Sequence, residues 1–153
     1  MSAFDPELFL QTEVEEANST EYVPFPEGEH LSSIKDVKIR MIEPKDGGES
    51  RPVMDVVFNS QSPEVIEALE NPEGGNVRMT CFLDITASGG LDMGKGKNVV
   101  LGRLREAIGQ NTPGKPWNPL HMVGSPVMIN VVHTASNRGD GSVFANVSQV
   151  SAA

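Results

Sequence analysis

The sequence predicts a mainly β fold: five antiparallel strands curled into a barrel, one helix between strands three and four, and an acidic N-terminal arm. Three observations carry this. Residues 77–85 alternate without a break, with Val77, Met79, Cys81, Leu83 and Ile85 on one side and Arg78, Thr80, Phe82 and Asp84 on the other, the two-residue period of a strand. Two strand-like runs precede it and two follow, with a single helical stripe (Val100, Leu101, Leu104, Ala107, Ile108) between them. Eight of the 21 acidic residues fall in residues 1–29, which hold no Lys or Arg.

Asp5-Pro6-Glu7 has the chemistry of a helix start, with an acidic cap, Pro in the first turn and more acid after it. Leu8, Phe9 and Leu10 are expected to anchor that short helix on the body. Residues 17–29 carry Pro24, Pro26 and Gly28 and read as an extended linker, which makes 1–29 the arm and 30–153 the barrel domain. Strand one, 31–42, turns Val37, Ile39 and Met41 toward the core and Asp36, Lys38 and Arg40 away from it. A turn-rich stretch, 43–50, leads to strand two at 51–59, where Met54, Val56 and Phe58 alternate, so the pair forms a hairpin. Ser62-Pro63-Glu64 starts a short helix that ends before Asn71-Pro72, and Glu73-Gly74-Gly75 turns into strand three. The clearest helix covers 98–110. A loop rich in Pro and Gly, 112–124, holds the only tryptophan, Trp117. Strands four (125–134) and five (142–150) flank Asn137-Arg138-Gly139-Asp140-Gly141, a hairpin turn that sets Val127, Ile129 and Val131 against Val143, Ala145 and Val147. Strand, strand, strand, helix, strand, strand is the element order of an OB-like barrel with a capping helix, an architecture that commonly binds oligonucleotides or oligosaccharides.

A chain of 153 residues makes one domain, and 38% hydrophobic content suits a packed core. No apolar run is long enough to span a bilayer, and the N-terminus lacks the basic start and apolar core of a secretory signal. A lone cysteine, Cys81, forms no intramolecular disulfide, in keeping with a reducing cytoplasm. The net charge of −9 is concentrated in the arm; residues 30–153 hold 13 acids against 12 bases. That near-neutral body lacks the cationic excess usual in proteins that coat nucleic acid, which weighs against such a role.

The strongest binding signal is Arg78 with Phe82 on the non-core side of strand three. A base stacks on an aromatic ring for about 1–3 kcal/mol, and Arg neutralises phosphate. Lys38 and Arg40 share the corresponding side of strand one, and Arg51 and Arg138 flank the two hairpin loops. The competing structural reading has Phe82 packed beneath the arm or the 62–70 helix, since most aromatics are buried. Glu43, Asp46 and Glu49 in the first hairpin loop repel phosphate. Gly89–Gly96 matches the phosphate-cradling pattern G-x-x-x-x-G-K, but Gly96 stands where a magnesium-holding Ser or Thr belongs, and hairpins replace the βαβ units that motif needs. Its Lys95, with Lys97, is expected to contact a nucleic-acid backbone or to lie in plain solvent. Trp117, near Lys115, is either a second stacking platform or a plug at the barrel's end. His30, His121, His133 and Cys81 have no metal-ligand spacing, Cys81 sits on the oily side of its strand, and no catalytic constellation is legible, so neither a metal, a cofactor nor an enzymatic activity is expected. The acidic arm competes for the cationic face, docks partner proteins, or keeps the chain soluble.

The Pro26–Glu29 entry to strand one, the Leu101-Gly102-Arg103-Leu104 helix and the glycine loop before it resemble a family of small phage-encoded proteins, often regarded as single-stranded DNA-binding and otherwise without an assigned function. The resemblance covers most of residues 21–150. It implies an OB-like barrel that coats single strands during phage DNA replication or recombination in the bacterial host cytoplasm. One departure is that many such proteins end in an acidic tail that recruits partners, whereas residues 147–153 contain no acid. The expectation is a non-enzymatic, sequence-tolerant single-stranded DNA-binding protein, with replication or recombination proteins as further partners and self-association open. The alternative is a virion decoration or assembly protein that docks through its arm.

Overall fold

The computed structural model describes residues 3–20, 23–136 and 142–153. Its elements, in chain order, are α1 (Pro6–Gln11), β1 (Gly28–Ile42), β2 (Arg51–Ser60), α2 (Pro63–Leu69), β3 (Gly75–Phe82), α3 (Val99–Ala107), β4 (Pro126–Ala135) and β5 (Val143–Ser151), with a 3₁₀ turn at Pro119–Met122. The five strands make one antiparallel sheet in the order β3-β2-β1-β4-β5. Each expected strand and helix is present within a few residues of its expected ends. β3 is the exception in detail: its ladder stops at Phe82, and Ile85 instead bridges to Leu91 across the following loop. The β4–β5 turn at 137–141 lies outside the described residues.

β1 joins the two halves of the sheet. Its first residues, Gly28–Ser33, pair with β4, and Ser33–Ile42 pair with β2, with a bulge between Ile34 and Asp36 at the changeover. The expected closed barrel is not formed: among the described residues no backbone ladder joins β3 to β5, although the two edges approach each other. The seam is lined by side chains instead. Met79 of β3, Ser148–Val150 of β5, and Val100 and Arg103 of α3 surround a cleft of about 370 Å³ there.

The core gathers the alternating residues of every strand, including Ile34, Met54, Val56, Phe58, Val77, Cys81, Val127, Ile129 and Val131, with Leu101 and Leu104 from α3. The helical stripe is divided, because Val100 is exposed while Ala107 and Ile108 pack at the core's margin. A bulge at Asn130/Val131 shifts the last pairing, so that Val150 lies opposite Ile129 and Val147 opposite Val131. The turn before β3 requires glycine, since Gly74 has φ +78° and a Cβ there would collide with the Ser60 carbonyl.

Two expectations are corrected. Ile39 and Met41 share the core side with Val37, yet both are exposed, because this end of β1 pairs only with β2 and, among the described residues, no element covers the projecting hairpin. Leu8, Phe9 and Leu10 do not anchor α1: all are exposed, and Phe9 packs on Phe4 of the same arm, with ring centroids 5.3 Å apart. Asp5 does cap the helix, accepting hydrogen bonds from the amides of Glu7 and Leu8. The linker's last residues, in turn, belong to the body. Phe25 is buried in the core, His133 Nε2 donates to its carbonyl at 2.6 Å, and His30 Nε2 donates to the Pro26 carbonyl at 2.9 Å. Phe25 and Pro26 thus contact the body.

Candidate nucleic-acid interface

The register of β1, β2 and β3 sets their outward side chains in rows. Asp36, Val57 and Arg78 form one row; Lys38, Asp55 and Thr80 the next; Arg40, Val53 and Phe82 the third. The central side chain of the middle row is a buried carboxylate. Asp55 accepts from Arg40 Nε at 2.6 Å, from Arg40 Nη2 at 3.4 Å and from Thr80 Oγ1 at 2.7 Å. A carboxylate withdrawn from water is tolerated only when hydrogen-bonded in this way. The Arg40 hydrogen bond holds Asp55 below the usual carboxylate range, against the opposing effect of burial, with Thr80 and the nearby Arg78 assisting.

Phe82 is not covered by the arm or by α2; it is 53% exposed. The Arg51 guanidinium lies 5.3 Å from its ring centroid, within cation–π range, while Arg51 Nη2 also reaches Asp84 Oδ1 at 3.4 Å. Lys38 stands 3.5 Å from Asp36. Among the described residues no carboxylate lies within 4 Å of Arg78, which leaves its exposed guanidinium available to another anion. The structure thus brings Lys38, Arg40, Arg51, Arg78 and Phe82 onto one face, and three of its four cations already hold a carboxylate.

The remaining predicted residues lie elsewhere. Lys95 and Lys97 are exposed on the loop from β3 to α3. That loop is strapped shut by Asn98, whose side chain accepts from the Asp84 amide at 2.8 Å and donates to the carbonyls of Asp84 and Asp92 at 2.8 and 3.1 Å. Its Gly94 amide is already satisfied by Asp92 Oδ1 at 2.9 Å, so the loop does not present the row of open amides a phosphate cradle needs. Trp117 belongs to a separate cluster. Its indole N–H donates to Gln110 Oε1 at 2.8 Å, and the Arg105 guanidinium lies 4.0 Å from its ring centroid. Arg138 lies outside the described residues.

Asp55, Arg105 and Gln110 escaped the sequence reading. Asp55 had a legible signal, a lone charge inside the apolar run Val53-Met54-Asp55-Val56-Val57, which is stable only with a partner. Arg105 and Gln110 had none, because their contact with Trp117 depends on how the intervening loop folds back. Burial pushes the Cys81 thiol up to about 11, with Asp55 adding to the effect, so it stays protonated at neutral pH. Among the described residues no cluster of His, Cys, Asp or Glu is placed to hold a metal ion, and no helix is long and apolar enough to cross a membrane. No protein-family model matches the chain, and no curated protein matches it in sequence.

Proposed function

We propose that this protein binds single-stranded DNA with little sequence preference, through the outward face of β1, β2 and β3. The observation that carries the reading is Phe82: a large ring, more than half exposed, on a strand whose opposite side is core, with Arg51 against it and the exposed Arg78 on the same face. Phe82 offers a stacking surface to a base, and Arg78 takes a phosphate. Arg40 is held in place by Asp55, and Lys38 lies beside it; Lys95 and Lys97, on the loop from β3 to α3, are further candidate backbone contacts. The sheet itself reads as an OB-like barrel left open at one seam, supported by the strand order, the approach of β3 to β5 and the helix between β3 and β4. With the resemblance to phage proteins, this reading supports a role in phage DNA replication or recombination.

The test is fluorescence anisotropy with a labelled oligonucleotide at two salt concentrations. Arg78→Ala is expected to weaken binding and to flatten the salt dependence by about one phosphate contact. Phe82→Ala is expected to weaken it about tenfold, within the range for loss of one stacked base. Parental affinity in both variants rules the face out.

The exposed side of α1 favours a second reading. Phe4, Leu8, Phe9 and Leu10 are solvent-exposed on an arm rich in acid, which suits docking on a neighbouring subunit in a virion or on a replication partner. Abundance of the chain in purified particles, with no retention on single-stranded DNA resin, is the result that selects it.

A further inference from the structure

Residues 93–124 run against the acidic balance of the chain, holding Lys95, Lys97, Arg103, Arg105 and Lys115 against the single carboxylate Glu106. At the C-terminal end of α3 this stretch folds around a cavity of about 260 Å³ lined by Gln110, Thr112, Lys115, Trp117 and His121. The volume lies just under the roughly 300–1,000 Å³ typical of small-molecule sites. The aromatic wall is held rigidly. Gln110 Oε1 accepts the indole N–H, and Gln110 Nε2 donates to the His121 carbonyl at 2.9 Å and to Ser125 Oγ at 3.2 Å. Arg105 stacks on the ring and donates from Nε to the Gln110 carbonyl at 3.0 Å. Among the described residues Lys115 has no carboxylate within 4 Å, so its ammonium is available to an anion.

We propose that this cavity binds a nucleotide 5′-monophosphate, free or at the end of a strand, with the base against the indole surface of Trp117 and the phosphate on Lys115. An aromatic wall fixed before binding loses little entropy when a base stacks on it, and Lys115 in the lining, with the Arg105 guanidinium on the Trp117 ring, attracts the anion. The choice of a nucleotide over another planar anion rests on the single-strand reading above; the cavity itself is separate from the Phe82 face.

Trp117 is the only tryptophan, so its fluorescence reports this site alone. Titrating the full chain with deoxyadenosine 5′-monophosphate is expected to quench it saturably. Lys115→Gln, a change at an exposed side chain, is expected to weaken the nucleotide about tenfold, as for loss of one charged contact, and to leave any quenching by deoxyadenosine unchanged. Oligonucleotides with 5′-phosphate and 5′-hydroxyl ends separate the two sources: preference for the phosphorylated end assigns the site to strand ends, and equal behaviour assigns it to free nucleotide. No quenching at millimolar nucleotide, or the same quenching in Lys115→Gln as in the parent, overturns the proposal. Phe82→Ala is expected to keep the mononucleotide response. A parent that ignores oligonucleotides in the anisotropy assay but is quenched by the nucleotide sinks the strand-face reading alone, and the reverse pattern sinks this one alone.

Discussion

Two phenylalanines on opposite edges of the sheet are almost equally exposed, Phe82 of β3 at 53% and Phe144 of β5 at 51%, yet their surroundings differ completely. β4 and β5 contain no Asp, Glu, Lys or Arg. Their outer surface is joined by neutral hydrogen bonds, Asn130 Nδ2 to Ser148 Oγ at 3.0 Å and Asn146 Nδ2 to Thr134 Oγ1 at 2.9 Å. The β1–β3 surface is held by charge, with Arg40 on Asp55 and Arg51 over Phe82. Among the described residues, what separates the two edges is the Arg51 guanidinium beside one ring.

The comparison can be broken in descending order of effect. Phe58, fully buried on the central part of the sheet, supports both halves. Phe58→Ala is expected to cost about 3–5 kcal/mol in urea unfolding and to keep a single transition; two separate transitions would show that the halves fold independently. Asp55→Ala removes the carboxylate under the charged half only, and should cost about 1.5–3 kcal/mol at pH 7.

That cost depends on pH in a definite sense. The folded Asp55 lies below its unfolded value near 3.9, so its contribution is fully present above about pH 4 and is lost as pH falls through the folded value. Urea midpoints at pH 7 and pH 3 should therefore differ less in Asp55→Asn than in the parent, whereas an equal difference removes Asp55 from the acid response. For binding, Phe82→Ala should weaken an oligonucleotide about tenfold. Phe144→Ala, at matched exposure, should change neither binding nor stability by more than about 0.5 kcal/mol. Equal losses from the two rings would mean that hydrophobic exposure, not charge, is what the ligand reads.

Much of the fold was legible because strand and helix periods are local properties. The alternation of Val77 to Leu83 and the cap at Asp5 need only a few neighbouring residues to act. Half of the face was legible for the same reason: alternation puts Arg78 and Phe82 on one side whatever else the chain does. The pairing of Arg40 with Asp55 was not, since it depends on the register between β1 and β2, which no short stretch encodes. The expected anchoring of Leu8, Phe9 and Leu10 failed similarly, because an apolar helix face specifies that it should be covered and not what covers it.

By itself, then, the sequence determined the order of elements, the acidic arm and the side of each strand on which a residue falls, because those follow from backbone period and composition. Only the tertiary structure decided that β3 and β5 stop short of a shared ladder, that Phe25 joins the core, that Asp55 engages Arg40, and that Arg105 and Gln110 brace Trp117. Each of these depends on contacts between segments distant in the chain, whose energies arise only once the sheet has set them side by side.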